Sequence, residues 1–279
     1  MKKYFTVFIC IINTSLAVLA QGEIDLQPKV FYRNEWSVAA MLNSNGFGAN
    51  YRYGKRINAR NKRLFEVDFA YMKHPKESKT YTPDGSRVVY GKTNLAFDFR
   101  FALGRQHEIF RKYDVGGIAI RYFYNYGPAV AMLKPIYYNV GEAVQVPGNP
   151  PITVIMPLDD PEIFDPTWYG NNIYVLSRSS FFKGFNKMEF VPGVFGKFGI
   201  NFEYSKQDRI IHALEAGFII EAFAKKVKIL NLDDPPTYLD KVAKNQQFLF
   251  TLFVSYRFGR IVDPYEVKKK RERSKEISY

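Results

Sequence analysis

Between about residue 30 and residue 260, apolar or aromatic side chains recur at every second position, in one segment after another. In one of them Leu95, Phe97, Phe99, Phe101 and Leu103 alternate with Asn94, Ala96, Asp98, Arg100 and Ala102. Successive side chains of an extended strand point to opposite faces, so each such segment has one greasy face and one polar or small face. The pattern returns at Phe47, Ala49, Tyr51 and Tyr53, at Phe65, Val67, Phe69 and Tyr71, and at Ile118, Ile120, Tyr122 and Tyr124. Further on it reappears at Phe198, Ile200, Phe202 and Tyr204, at Leu214, Phe218 and Ile220, and through Phe248, Phe250, Leu252, Val254, Tyr256 and Phe258. A weaker copy runs through Trp36, Val38, Ala40 and Leu42. The chain therefore reads as all-β, with strands expected near 30–43, 46–55, 62–73, 91–104, 113–137, 189–204, 209–224 and 246–259. Gly127-Pro128 could divide the fifth of these into two strands.

Alternation alone fits a soluble β-sandwich as well as a membrane barrel. The polar face separates them. It mixes Arg52, Glu66, Asp68, Asp98, Arg100, Arg121, Lys197, Glu203, Glu215, Glu221 and Arg257 with glycine and alanine, both charge signs beside small residues. Such a mixture suits a narrow lumen filled by paired charges, and a Phe- and Tyr-rich opposite face suits lipid and its interfaces. The expected fold is an antiparallel up-and-down transmembrane β-barrel of about eight strands. An even count puts both termini on one side, taken as periplasmic, with short turns near 56–61, 105–112 and 205–208. Long outward loops are expected at 74–90, 138–188 and 225–245, and Asn43-Ser44-Asn45-Gly46 reads as a tight outward hairpin.

Residues 1–20 read as a signal peptide: Lys2 and Lys3, an apolar run, then Val18-Leu19-Ala20 before Gln21. The expected organisation is signal 1–20, outer-membrane barrel 21–260 and a basic periplasmic tail 261–279. The one cysteine, Cys10, lies inside the signal, so thiol catalysis, thiolate metal sites and disulfides are excluded from the exported chain. After residue 20 no run of about 18 apolar residues offers a transmembrane helix. The formal charge is +13, with 40 Lys+Arg against 27 Asp+Glu. Export argues against nucleic acid as the reason; outer-membrane lipid, lipopolysaccharide included, and an acidic protein partner are the expected contacts.

Eight strands close on an interior just wide enough for side chains. The lumen charges Arg52, Glu66, Asp68, Asp98, Arg100, Arg121, Lys197, Glu215, Glu221 and Arg257 are accordingly read as a structural network, not as a catalytic carboxylate pair or a wide pore. A lipid-modifying enzyme would need a Ser/His pair with an acid at the outer rim. Of three histidines, His107 falls in an expected periplasmic turn and His212 at the periplasmic end of its strand, leaving His74 beside Glu77 and Ser78. A lone rim histidine among lysines reads better as a loop residue, so no catalytic, cofactor or metal site is expected. Loop 138–188 carries six prolines, an acidic stretch and the aromatics Trp168, Tyr169, Tyr174, Phe181, Phe182 and Phe185. That much apolar area wants burial, either on the loop's own barrel or on a partner. The tail contains Lys268, Lys269, Lys270, Arg271, Arg273 and Lys275, which with basic residues at the short turns makes a positive periplasmic face.

Phe181-Phe182-Lys183-Gly184-Phe185, Val191-Pro192-Gly193 leading into Gly199-Ile200-Asn201-Phe202-Glu203-Tyr204, and the closing Ser255-Tyr256-Arg257-Phe258-Gly259 together resemble small outer-membrane barrels of Bacteroidota. The closing aromatic strand also resembles the signal read by the barrel-assembly machinery, with a tail following it here. The resemblance implies an outer-membrane location and, since several such barrels are accessory subunits of secretion or barrel-assembly complexes, a non-enzymatic scaffold or accessory role. A lipid-modifying enzyme and a narrow channel are the alternatives.

Overall fold

The computed structural model describes residues 34–262 except 83–84, 86, 90, 113–116, 146–152, 159, 166–167, 169–170, 208 and 232–244. The expected signal peptide and basic tail, Lys268 to Lys275 included, lie outside the described residues. In chain order the strands are β1 (Asn34–Asn43), β2 (Gly46–Arg56), β3 (Asn61–Met72), β4 (Lys79–Tyr81), β5 (Arg87–Val89), β6 (Asn94–Phe110) and β7 (Ala119–Pro135). Then follow β8 (Tyr137–Gln145), β9 (Thr153–Pro157), β10 (Glu162–Ile163), β11 (Ile173–Arg178), β12 (Glu189–Glu203), β13 (Ile210–Phe223) and β14 (Phe248–Val262).

Eight of these close an antiparallel barrel in the order β1-β14-β13-β12-β7-β6-β3-β2. Each barrel strand pairs with its neighbours in chain order, and the sheet shuts where β1 meets β14, Val38 opposite Phe258. Closure leaves no free edge. The first hairpin is tight: Gly46 has φ 156°, and a Cβ there would lie 1.9 Å from the Tyr71 carbonyl oxygen. Gly127-Pro128 does not split β7. The ladder to β6 lapses between the pairs Arg100–Ala129 and Leu103–Tyr126, beside the imino nitrogen of Pro128, whereas the ladder to β12 continues unbroken. Several boundaries differ from expectation: β7 begins at Ala119 and ends at Pro135, inside the expected 113–137. β6 runs on to Phe110, so Arg105 to Phe110 belong to a strand and not to a turn, and β14 reaches Val262.

Every barrel strand carries exposed apolar side chains on its outer face, for example Val38, Tyr51, Phe69, Phe101, Tyr126, Ile200, Leu214 and Leu252. A greasy belt continuous around a closed barrel has no place in water and is the surface that hydrocarbon covers. Inside, the side chains are either charged or small. Ala70, Ala96, Ala102, Ala129 and Ala131 are buried, and the space they leave is taken by long charged residues from neighbouring strands. Towards the long-loop end the filling turns apolar: Met72, Leu133, Phe195, Phe223, Phe253 and the segment Val227, Ile229 and Leu230 form one buried cluster. That segment folds in over the barrel and is tied to it by an isolated bridge from Leu230 to Lys92.

Loop 138–188 is a small sheet. β8 is its spine, with β11 along one edge and β9 and β10 along the other. It packs on the upper wall of the barrel through Ile136, Tyr138, Val140, Phe164 and Trp168, which meet Val88 of β5 and Leu95 of β6.

Candidate functional site

Nine of the ten lumen charges read from the sequence form one network. Arg52 donates from Nε to Glu66 Oε2 at 2.5 Å and from Nη1 to Glu215 Oε1 at 2.6 Å. Glu215 also accepts from Asn201 Nδ2 at 2.8 Å and from Arg257 Nε at 2.9 Å and Nη2 at 3.0 Å. Arg257 reaches on to Ser37 Oγ at 2.9 Å and Asn50 Oδ1 at 2.5 Å, tying β14 to β1 and β2. Lys197 donates to Glu66 and, at 3.0 Å, to Asp68. Arg100 serves three carboxylates: it donates to Asp98 and, at 3.4 Å, to Asp68, and its Nε lies 2.9 Å from Glu221 Oε1. The tenth residue, Arg121, belongs to a second cluster near the short-turn end, with Glu203, Glu108, Lys112 and the pair Glu35–Lys62. Sequence reading left Glu35, Lys62 and Glu108 out of the lumen set: Glu35 stands in the weakest alternation, Lys62 beside Asn61 and Arg63, and Glu108 in what reads as a turn.

This arrangement is structural. Each cation is satisfied on several sides, and Arg52 and Lys197 also stand over the Phe123 and Phe253 rings at 4.4 and 5.0 Å. Burying such charges is tolerable only when all are paired, and removing one partner strands the other in a dry interior. Glu221 departs from the pattern. Neither of its carboxylate oxygens, nor Asp98 Oδ1, has a hydrogen-bond partner.

The rim histidine is engaged within its own turn. His74 Nδ1 accepts from the Lys76 backbone N–H at 3.2 Å, so in the neutral ring the proton is on Nε2. Glu77, the acid that would orient an imidazole, accepts from the His74 backbone N–H at 3.1 Å and from Lys92 Nζ at 2.7 Å. His107 stands within β6, Nδ1 2.8 Å from Asn61 Oδ1 and its ring 5.3 Å from that of Tyr122, which corrects its placement in a turn. His212, on β13, has Nδ1 2.8 Å from the Tyr256 hydroxyl.

The aromatics of loop 138–188 divide. Trp168 is 3 % exposed and packs edge-on to Phe164, so it belongs to the core of the loop's own sheet and is no contact surface. Tyr169 lies outside the described residues. Tyr174 is partly open, and Phe181, Phe182 and Phe185 form a mutually packed triad with Phe182 79 % exposed. Beneath the triad Lys134 is buried, donating to the Lys183 carbonyl at 2.9 Å with its ammonium 4.9 and 5.1 Å from the Phe181 and Phe185 rings. Within the same sheet Tyr138 donates its hydroxyl to the Lys92 carbonyl at 2.7 Å. Burial, with Glu77 adding to it against Arg178, pushes the Tyr138 phenol above its ordinary value.

Fold and site define a closed, eight-stranded antiparallel membrane barrel with a filled interior and a structured loop cap. No family model and no curated protein matches the chain. Among solved structures it is similar to Neisserial surface protein A, with 9% identity over 84% of this chain and 99% of that one and a TM-score of 0.33. It is also similar to Ail, the attachment invasion locus protein of Yersinia pestis, solved with the heparin analogue sucrose octasulfate. There the identity is 8% over 82% of this chain and 97% of that one, with a TM-score of 0.38.

Proposed function

We propose that the chain is a non-enzymatic outer-membrane β-barrel with periplasmic termini, serving as a scaffold or accessory subunit of an outer-membrane secretion or assembly complex. The observation that carries the reading is where the chain places its recognition chemistry. Its interior is spent on paired charges and an apolar plug, whereas the loop cap holds Phe181, Phe182 and Phe185 out in the open, with the exposed Lys183 and Lys187 in the same stretch of chain. A packed, exposed aromatic triad flanked by cations has the make-up of an interface hot spot. The short-turn end adds a second surface: Lys55, Arg60, Arg63, Arg105, Arg111, Lys206, Arg209 and Arg260 are exposed there. Among the described residues of that rim the acids Glu35, Glu108 and Glu203 are buried. A basic face of this kind suits anionic headgroups or an acidic partner, and the basic tail would extend it.

The test is purification of tagged protein from native outer membranes in mild detergent, with mass spectrometry of what stays bound. A stoichiometric partner retained by wild type and lost from Phe181→Ser/Phe182→Ser or from a chain ending at residue 262 is the expected result. Recovery of the wild-type barrel alone would overturn the subunit reading.

A further inference from the structure

The barrel wall has a framed opening at its long-loop end. Its sill is the first hairpin, which is so short that the wall dips between β3 and β14. Ser44 N–H donates to the Leu252 carbonyl at 2.8 Å on one side, and Lys73 N–H to the Asn45 carbonyl at 2.6 Å on the other. The lintel is the segment running from residue 227 to 231. Val227 N–H bonds the Gln246 carbonyl at 3.1 Å, Thr93 N–H bonds the Ile229 carbonyl at 3.1 Å, and Asn231 N–H bonds the Gly91 carbonyl at 2.8 Å. Main-chain hydrogen bonds thus fix the sill to β14 and to the residue after β3, and the lintel to Gln246 and to the residues before β6, and a cavity of about 280 Å³ lies between them.

The lining is amphipathic in a sorted way. Met72, Val227, Ile229 and Leu249 form an apolar floor, and the first three belong to the buried cluster that plugs the lumen. Phe250, exposed on the outer face of β14, stands at the mouth, so the cavity opens onto the same wall as the lipid-facing belt. On the β3 side Lys73 and His74 supply the polar edge. Lys73 is exposed on that wall, its ammonium 5.9 Å from the rings of both Phe47 and Tyr71. An apolar slot with a cation at its lip, near the lower end of the usual size for ligand sites, fits one hydrocarbon chain whose head is anionic.

We propose that this window holds one acyl chain of lipid A, the lipid of the outer leaflet, with Lys73 against the phosphate head and His74 beside it. The choice of lipid A over a phospholipid rests on the orientation proposed above, which puts the long-loop end in the outer leaflet. The chain would lie on Met72, Ile229 and Leu249, replacing contacts with the bulk bilayer by a fixed slot. His74, which the sequence marks as a possible catalytic residue, thereby acquires a binding role that needs no free base.

The test uses purified full-length protein in phosphatidylcholine nanodiscs doped with lipid A or, separately, with phosphatidylglycerol, and counts by native mass spectrometry the lipid retained on ejection from the disc. Leu249→Trp and Ile229→Phe fill the slot, Lys73→Glu inverts the charge at its lip, and Ile200→Trp on the far side of the belt is the control. Lys73 is exposed, so its variant keeps the test decisive should a slot-filling variant not fold. Wild type and Ile200→Trp should each retain one lipid A, and the other variants should lose about tenfold, the equivalent of roughly two buried methylenes. Retention unaffected by all three variants would overturn the site. Window-dependent retention of phosphatidylglycerol at the level of lipid A would overturn the lipid A assignment, while leaving the subunit reading to its own co-purification test.

Discussion

At the scale of single residues the lumen makes an asymmetric demand on its carboxylates. Glu215 accepts from Arg52, Asn201, Ser255 and Arg257, whereas both Glu221 oxygens lack a hydrogen-bond partner. In the central network the acids Glu66, Asp68, Asp98, Glu215 and Glu221 outnumber the cations Arg52, Arg100, Lys197 and Arg257, so one carboxylate is surplus. Glu215→Gln leaves two guanidinium groups short of an anion and should cost about 3–5 kcal/mol in urea unfolding from vesicles. Glu221→Gln removes the surplus and should cost less than about 1 kcal/mol; equal losses in the two variants would contradict this account. Tyr138 gives a second prediction, outside the bilayer. Its folded phenol holds its proton more tightly than the unfolded one, so its contribution is complete below the ordinary tyrosine value of about 10 and is lost as pH rises through the higher folded value. Only the neutral phenol can donate to the Lys92 carbonyl. Trp168 emission should therefore stay unshifted at about pH 10 and move red only as pH rises well beyond it in wild type, and Tyr138→Phe should lack that transition while costing about 1 kcal/mol. Parity in the sequence is enough to put the lumen charges on one face of each strand. It cannot say which of them meet, because partners such as Arg52 and Glu215 are brought together only by closure of the barrel.

At the scale of strands and hairpins, the eight barrel strands are legible because lipid outside and a narrow lumen inside impose opposite demands on alternate residues. The signal fails where one demand lapses. Beyond Leu103 the outward face of β6 leaves the hydrocarbon, and Arg105 and His107 look like turn residues although Gln106 and Glu108 keep pointing inward, both buried. The cap strands β8 to β11 fail differently: they are short, broken by prolines, and packed on several partners, so no single period runs through them. Trp168 shows the consequence, since the sequence marks it as large and apolar without saying that Phe164 and Tyr138 cover it. Trp168→Ala should open the cap to proteinase K near 146–170 at a local cost of about 3–5 kcal/mol, and the barrel should stay protected. Cleavage within the barrel strands as well would show that cap and wall unfold as one. The short-turn end supports a further expectation. Lys55, Arg63 and Arg105 stand directly opposite one another on β2, β3 and β6, all exposed. One residue along, their inward neighbours Arg56 and Lys62 each have an acid, Glu108 and Glu35. Like charges in register repel, so an anion between them should stabilise the sheet. Phosphatidylglycerol vesicles should raise the unfolding midpoint of wild type over phosphatidylcholine ones, and Arg63→Leu should lose part of that gain; an equal gain in both would remove the headgroup from the account.

At the scale of the whole molecule the barrel is closed by two seals of different chemistry in series. The charged network fills the section spanned by Arg52, Glu66, Lys197 and Glu215, and the apolar cluster with Phe223, Leu230 and Phe253 fills the section towards the long loops. Eight strands leave room for side chains and little else, so the charged section is filled by strand residues alone, whereas Val227, Ile229 and Leu230 from the loop after β13 help to fill the apolar one. The two seals resist ions for separate reasons. A charge crossing the network must displace an ion-pair partner, and a charge crossing the plug must shed its water among rings and aliphatic groups. Loss of one seal therefore leaves the other standing. In a planar bilayer the wild-type protein should show no stepwise conductance. Arg52→Ala/Glu215→Ala, which removes one ion pair from the centre of the network without changing its net charge, should remain silent because the plug stays dry. Steps should appear only when Leu230→Ser and Phe253→Ser wet the plug as well. Wild-type steps would make this a narrow channel, and steps from the network variant alone would show that the apolar cluster is not a seal.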